Sequence, residues 1–203
     1  MQDQGELKID LSSIAEALGC GSAALAEGAT NEEIAQLAQC YAGDPPAEVV
    51  HNYRERNGEV QDVRLFCGYR FLSVEEVVRE VAIWDEVQAG EAKYGEGYRE
   101  PIPSYPALAV KDLVHCSAWV PFASGYGGAQ LAVDLDPGSH GTYGQVINFG
   151  PDDLYHFVLA HSFGEFLAIV HHRYLRKQWH PDFEGEAWSL YDEMIRTRSR
   201  PAG

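Results

Sequence analysis

The sequence contains no hydrophobic run that approaches the roughly 20 residues of a membrane span. Its first residues, MQDQGELKID, lack the basic and apolar segments of a secretory signal peptide. We therefore expect a soluble, cytoplasmic protein that has no membrane partner. A length of 203 residues with 45% hydrophobic and 23% charged side chains is typical of one globular domain, whose core can fold without disulfides or structural metals.

Cysteine is scarce and widely spaced. Cys20, Cys40, Cys67 and Cys116 are at least 20 residues apart, and no Cys-x-x-Cys pair occurs. This excludes the ligand spacing of a zinc site. We expect four reduced thiols that pack as small apolar side chains, and no metal or other cofactor.

Basic residues are outnumbered by two to one, with 15 Lys and Arg against 31 Asp and Glu, for a net charge of −16. Residues 1–170 hold 9 basic and 26 acidic side chains, or −17, whereas residues 171–203 hold 6 and 5, or +1. An acidic body repels phosphates, so we expect no nucleic-acid partner. The charge favours a basic protein partner, but a surface that only keeps the protein soluble explains it equally well.

Helical signals stand towards both ends of the chain, and strand signals lie mostly between them. Capping boxes at Thr30, Ser73 and Ser162 predict helix starts, and a Gly- and Pro-rich stretch at 90–112 predicts a long loop or flap. This order predicts an α+β single domain, with a mainly antiparallel or mixed sheet and helices packed mostly on one side. Strands are expected over 62–72, 114–122, 131–136, 143–149 and 155–160, and a last helix over 183–195. The predicted core is one apolar layer of Trp119, Leu131, Val133, Leu135, Ile147, Phe157 and Phe166.

The side chains that could carry chemistry form no complete catalytic set. Asp134 and Asp136 lie two apart on a predicted strand, so alternation places both carboxylates on one face, where they could hold Mg²⁺ or act as an acid–base pair. A solvated outer face is the simpler interpretation. The eight histidines show no metal-binding spacing, and the glycines around Tyr126 precede a strand and lack the Lys of a phosphate-binding loop. We predict that the chain is not an enzyme.

A set of motifs follows in order along the chain: Asp44-Pro45-Pro46 with Asn57-Gly58, Gly68–Ser73, Trp119–Phe122, Gly127-Gly128, Val133–Gly138, Gly141-Thr142, Gly144–Ile147 and Ala160–Phe163. This ordered set resembles the SUKH superfamily, which includes a fungal cell-wall-assembly regulator and many bacterial immunity proteins. The resemblance covers about residues 30–178, and Ala129 departs from it where many members carry an acidic or amide residue. It implies a domain at 30–180, preceded by an N-terminal extension at 1–29 and followed by a C-terminal helix and tail at 181–203. Within these motifs we expect structural roles for Trp119, Pro121, Gly127, Gly128, Pro137 and Gly144.

Three functions remain open. The resemblance implies a non-enzymatic binding protein, and we favour an immunity protein that neutralises a basic toxin, such as a nuclease. The alternatives are a regulatory or scaffold protein like the fungal relative, and a metal-dependent hydrolase built on Asp134 and Asp136. For a partner we expect one of two surfaces, a loop patch of Tyr126, Asp134, Asp136, His140 and Tyr143, or a helix patch of Glu75, Glu76, Glu80, Asp85 and Glu86.

Overall fold

Five α-helices and six strands build the part of the chain that the computed structural model describes, residues 9–41, 44–91 and 102–177. The helices are α1 (Leu11–Leu18), α2 (Asn31–Cys40), α3 (Ala47–Glu55), α4 (Val74–Glu91) and α5 (Phe163–Leu175). The strands are β1 (Arg70–Phe71), β2 (Ser104–Tyr105), β3 (Trp119–Ser124), β4 (Gln130–Asp134), β5 (Gln145–Phe149) and β6 (His156–Ala160). The helix predicted over 183–195 lies outside the described residues.

The strands form one sheet in the order β1-β3-β4-β5-β6-β2. Every neighbouring pair is antiparallel except β2 and β6, which run parallel. The connections explain this pattern, because β3, β4, β5 and β6 follow one another along the chain and are neighbours in the sheet, whereas β2 precedes β3 in the chain and pairs with β6. The prediction of an α+β single domain with a mainly antiparallel sheet is confirmed.

Both faces of the sheet are covered, so the prediction of a single apolar layer was wrong. Leu131 and Val133 of β4 pack towards a core to which all five helices contribute, whereas Ala132 between them belongs to a second cluster. Trp119 and Ile147 lie in that second cluster, which the segment before β3 and Trp84 of α4 cover. Strand alternation therefore sorts apolar side chains to two buried faces. Leu135 and Phe157 are only partly buried.

Two of the three predicted capping boxes form completely. The backbone N–H of Thr30 donates to Glu33 while the N–H of Glu33 donates back to the Thr30 hydroxyl. Ser73 and Glu76 make the same reciprocal pair at the start of α4. These bonds satisfy N–H groups that the first helical turn would otherwise leave unpaired. At α5 the Ser162 hydroxyl caps Glu165, but the Glu165 carboxylate accepts from the backbone of His161 instead.

The strand predicted over 62–72 is mostly a loop, and pairing begins only at Arg70. The carboxylate of Glu59 accepts hydrogen bonds from the backbone N–H groups of residues 63, 64, 65 and 71, at distances of 2.7–3.0 Å. These bonds take the place of a sheet ladder. Arg64 and Cys67 adopt φ of 54° and 51°, a left-handed conformation that no strand accommodates.

The described part of the predicted flap, residues 102–112, packs on the sheet. It contributes β2, and Ala109 and Val110 join the second buried cluster. The remainder of the predicted flap between residues 92 and 101 lies outside the described residues. Strand β3 starts later than predicted, at Trp119, because residues 114–118 lead into the sheet without pairing.

Residues 9–29 add a helix that the sequence analysis did not predict. Leu11, Ile14 and Ala15 of α1 are buried in the main core, where α1 packs against α5.

All four cysteines lie among the described residues and are free thiols, two of them buried. No helix in the described ranges combines the length and the apolar character needed to cross a membrane.

Candidate functional site

Asp134 is a buried residue, although alternation had placed it on a solvated face. Its side chain has no exposed surface, because the second apolar cluster covers that face of β4. Gln145 donates to it through Nε2 at 2.8 Å, and the backbone N–H of Asp136 donates at 3.0 Å. Burial raises the pKa of Asp134, and these hydrogen bonds oppose the rise only in part. Asp134 is therefore enclosed and bonded within the fold, whereas Asp136 is exposed.

Three other members of the loop patch lie at the end of the sheet where β4 turns into β5. Asp136 forms an ion pair with Lys111, and His140 packs its ring nitrogen 3.3 Å from the carbonyl oxygen of Ala107. Tyr143 is 60% exposed. The β4–β5 turn that carries these side chains lies against the 106–111 segment, whose backbone carbonyl groups accept hydrogen bonds from the turn.

Tyr126 lies at the opposite end of the sheet, so the predicted loop patch is two separate surfaces. It belongs to a short 3-10 helix between β3 and β4, and the five residues of β4 separate it from Asp134. The ring is 79% exposed, yet the Arg64 guanidinium carbon sits 3.6 Å from its centroid. Arg64 is fixed in turn by Gly68 O and by the Glu59-centred loop. The Tyr126 ring therefore already makes a cation–π contact within the fold, with the Arg64 guanidinium.

The helix patch is partly occupied by bonds within the fold. Burial raises the pKa of Glu76, but hydrogen bonds from the Ser73 backbone and the Arg70 guanidinium outweigh it and hold that pKa below its usual value. Glu80 accepts from Gln130 Nε2 at 3.0 Å. Both carboxylates therefore have partners that a binding protein would have to displace. The remaining members, Glu75, Asp85 and Glu86, are exposed, and the Asp85 carboxylate lies 4.0 Å from the His115 ring.

Sequence reasoning missed an aromatic cluster at the β2–β6 edge. The Tyr105 ring stacks on Phe157 with centroids 5.7 Å apart and lies 5.7 Å from the ring of Tyr155. Tyr105 had been assigned to the flap, so its pairing with β6 was hidden. The signal that could have found part of the cluster is the alternation of Tyr155 and Phe157 along a predicted strand.

The sequence of residues 28–169 matches the SMI1 / KNR4 family (SUKH-1). The chain belongs to this family. It is 30% identical over 170 residues to the cell wall biosynthesis/cell cycle regulator smi1 of Schizosaccharomyces pombe, covering 75% of this chain and 33% of that protein. It is 30% identical over 154 residues to the cell wall assembly regulator SMI1 of Saccharomyces cerevisiae, covering 64% and 29%, and 36% identical over 99 residues to a glucan synthesis regulatory protein of Neurospora crassa, covering 49% and 18%.

These SMI1/KNR4 relatives are named as regulators and not as enzymes. The chain spans about a third or less of their length. Their names agree with the regulatory alternative better than with the immunity role that we favoured from the sequence. Charge alone did not separate the two, because an acidic body suits either kind of partner.

The motif residues of the SMI1/KNR4 domain lie in strand β3 and in the β3–β4 and β4–β5 connections, and their structural roles stay a prediction. Trp119 is buried, and Pro121 sits beside a register shift in β3, where a missing backbone N–H is tolerated. Gly127, Gly128 and Gly144 have φ of 68°, 86° and 82°, which glycine adopts without steric cost. Pro137 is half-buried in the β4–β5 turn.

The described residues of the SMI1/KNR4 domain contain no group of three or more His, Cys, Asp or Glu side chains placed to hold a metal. The arrangement offers instead two kinds of recognition element, exposed aromatic rings and exposed carboxylates. Rings on rigid elements bury a large area at a low entropic cost when a partner binds, and carboxylates select basic partners.

Proposed function

We propose that the chain is a regulatory module that acts by binding other proteins and that it catalyses no reaction itself. The observation that carries this proposal is its similarity to proteins named as cell wall and glucan synthesis regulators, over most of the folded domain. The matched residues 28–169 include the whole sheet and α2 to α4. A shared folded unit is the part of such regulators most suited to a common binding role.

The geometry around Asp134 and Asp136 supports a binding role over the hydrolase alternative. Asp134 is enclosed and bonded to Gln145, while Asp136 is paired with Lys111 on the surface. The two carboxylates do not share a face on which one substrate could lie. A pair of carboxylates acts in acid–base chemistry only when both reach the reacting atoms.

Domain replacement tests the proposal directly. The full chain would be inserted in place of the matching region of the fission yeast regulator, and cells would be scored for resistance to a glucan-degrading enzyme. We expect resistance above that of cells lacking the region. A chimera that accumulates normally but leaves the cells fully sensitive would contradict the regulatory role.

Co-expression of the chain with a toxin encoded beside its own gene distinguishes the immunity role from the regulatory role. If the chain protects bacteria from a toxin encoded beside its own gene, and the chimera gives no resistance, immunity replaces regulation as the function. If the chimera gives resistance and no neighbouring toxin is neutralised, the regulatory role stands.

A further inference from the structure

The edge of the sheet formed by β2 and β6 carries a cluster of exposed rings. We define the edge patch as Tyr105, Leu154, Tyr155 and Phe157. Tyr105 is 50% exposed, Tyr155 43% and Leu154 75%. Phe157 forms the base of the patch, because its ring stacks under Tyr105 at an interplanar angle of 16° and lies 6.2 Å from Tyr155.

A buried amide fixes the β6 side of the edge patch. Asn148 is almost fully buried; its Nδ2 donates to Tyr155 O at 3.1 Å, and its Oδ1 accepts from the backbone N–H of Phe157 at 2.6 Å. The same Nδ2 donates to Asp153 at 2.9 Å. One side chain therefore sets the backbone on both sides of His156, and with it the spacing of the two rings.

A buried hydroxyl fixes the β2 side. Ser104 Oγ donates to Pro106 O at 2.8 Å and accepts from the backbone N–H groups of Ala109 and Val110. This hydroxyl and a backbone hydrogen bond from Ala109 N–H to Pro106 O close the turn that follows Tyr105. Because both strands are held, a partner would find the rings already in place, and binding would cost little ordering of the patch.

The chemistry of the partner follows from the charge around the patch. Three carboxylates lie beside the edge patch: Asp152 and Asp153 directly precede Leu154 in the chain, and Asp112 accepts a hydrogen bond from the backbone N–H of Ile102, just before β2. Lys111 is the one Lys or Arg in residues 102–170, and it is paired with Asp136. Asp152 is exposed in the turn that leads to Leu154 and Tyr155. Aromatic faces attract cations, and surrounding carboxylates strengthen that preference.

We propose that the edge patch binds a basic segment of a protein partner, with an arginine or lysine side chain lying against Tyr105 and Tyr155. The inference rests on the proposed protein-binding function and names the surface and the partner chemistry. The chain already uses this contact internally, since Arg64 lies over Tyr126 at the same end of the sheet. An apolar partner would use Leu154 equally well but would gain nothing from the carboxylates.

Peptide titration of the full chain tests the edge patch. The probes are a short alternating arginine–serine peptide and a glutamate–serine peptide of equal length. Each peptide is titrated into the protein, and the heat of binding is measured by calorimetry. We expect the arginine peptide to bind, the glutamate peptide not to bind, and affinity to fall as the Debye length shortens from about 30 Å at 0.01 M salt to about 8 Å at 0.15 M.

Substitutions then distinguish the contribution of the aromatic rings to peptide binding from that of their apolar surface. Tyr105→Leu and Tyr155→Leu should each raise the Kd for the arginine peptide about fivefold to tenfold, whereas Tyr105→Phe should leave it unchanged. Val60→Ala is the control for loss of an exposed apolar side chain, because Val60 is similarly exposed but follows Glu59 beside β1, at the opposite edge of the sheet. Thermal unfolding of each variant should match that of the original chain, since these side chains are on the surface.

Three results would overturn the edge patch: equal binding of both peptides, an equal loss in Val60→Ala, or full binding in both Tyr105→Leu and Tyr155→Leu. If domain replacement succeeds while any of these is found, the regulatory function stands and this surface is wrong. If domain replacement fails while the predicted peptide pattern holds, the edge patch stands as a cation-binding surface and the regulatory role falls.

Discussion

At the scale of single residues, buried polar side chains decide the shape of the irregular segments. Glu59 replaces a strand ladder with four backbone hydrogen bonds, and Asn148 does the same for the start of β6. Asp134 and Gln145 join two loops at one end of the sheet. In each case the side chain pairs backbone groups that burial would otherwise leave unsatisfied.

Glu59→Gln should be strongly destabilising. An amide can accept through one oxygen only, so its NH₂ group would face N–H donors that the carboxylate now binds. We expect the free energy of unfolding in urea to fall by about 2–4 kcal/mol. Glu55→Gln is the matched control, because Glu55 is exposed, and it should change stability by less than about 0.5 kcal/mol. Equal effects of the two substitutions would remove the structural role of Glu59.

His115 should make the fold sensitive to acid. Its ring is buried between Trp84 and Phe149, and neither ring nitrogen has a hydrogen-bond partner among the described residues. Burial lowers the pKa of His115, and the Asp85 carboxylate 4.0 Å away offsets only part of that. The unfolded chain therefore takes up the proton first, and stability is lost as the pH falls below about 6.5, the ordinary histidine value.

Comparing His115→Phe with the original chain isolates this effect. The difference in unfolding free energy between the two proteins should shift in favour of His115→Phe as the pH is lowered from 7 to 5. His140→Gln is measured beside it as the control for removing a histidine, since His140 is exposed. Parallel curves for His115→Phe and the original chain would show that His115 is not the acid-sensitive group.

At the scale of elements, the Gln145 side chain connects three segments at the end of the sheet near Tyr143. Gln145 donates to Asp134 and to Ala109 O, and its own amide oxygen accepts from the backbone N–H of Thr142. It thereby joins β4, the β4–β5 turn and the 106–111 segment. The glycines of that turn allow the close approach, because a Cβ at Gly138 would lie 2.2 Å from Leu108 O.

Gln145→Ala should loosen these elements together. We expect faster amide hydrogen exchange in residues 106–111 and 137–144, because three hydrogen bonds are lost at their junction. Exchange around Tyr126 should not change, since that turn lies at the opposite end of β4. Faster exchange confined to one of the two loops would show that Gln145 does not couple them.

Helix α5 is joined to the sheet by an aromatic contact. The fully buried Phe166 meets Phe66 and Phe122 edge to face, with centroids 5.4 and 5.5 Å away. Phe166→Ala should lower the free energy of unfolding by about 3–5 kcal/mol, because it removes these contacts and leaves a cavity. The exposed Leu175 on the same helix provides the control, since Leu175→Ala should have little effect. A loss below about 1 kcal/mol at Phe166 would mean that the core can collapse around the cavity.

At the scale of the whole molecule, local signals predicted the elements better than their burial. Thr30 with Glu33 and Ser73 with Glu76 fixed two helix starts because capping is a matter of neighbouring residues. The burial of Asp134 could not be read in this way, since the 102–118 segment that covers it is distant in sequence. Likewise Tyr105 joins Tyr155 only through the parallel pairing of β2 with β6, a long-range contact that carries no local pattern.

The difference between local and long-range signals also explains which parts of the candidate site could be predicted from the sequence. Exposed single residues such as Tyr126 and Tyr143 were identifiable as turn aromatics, but their grouping into one patch failed because β4 separates them. The net charge of −16 indicated a preference for basic partners without assigning a surface. Partner binding by the predicted residues stays a prediction, and the edge patch adds a surface that only the folded chain displays.

Domain replacement in the fission yeast regulator, carried out with paired variants, tests the central claim most directly. We predict that the original chain and Val60→Ala restore resistance to the glucan-degrading enzyme, and that the double substitution of Tyr105→Leu with Tyr155→Leu does not, at equal protein levels. This result would connect a binding surface of the domain to regulation. Failure of the original chain to restore any resistance, in cells where the chimera is folded and abundant, would contradict the account.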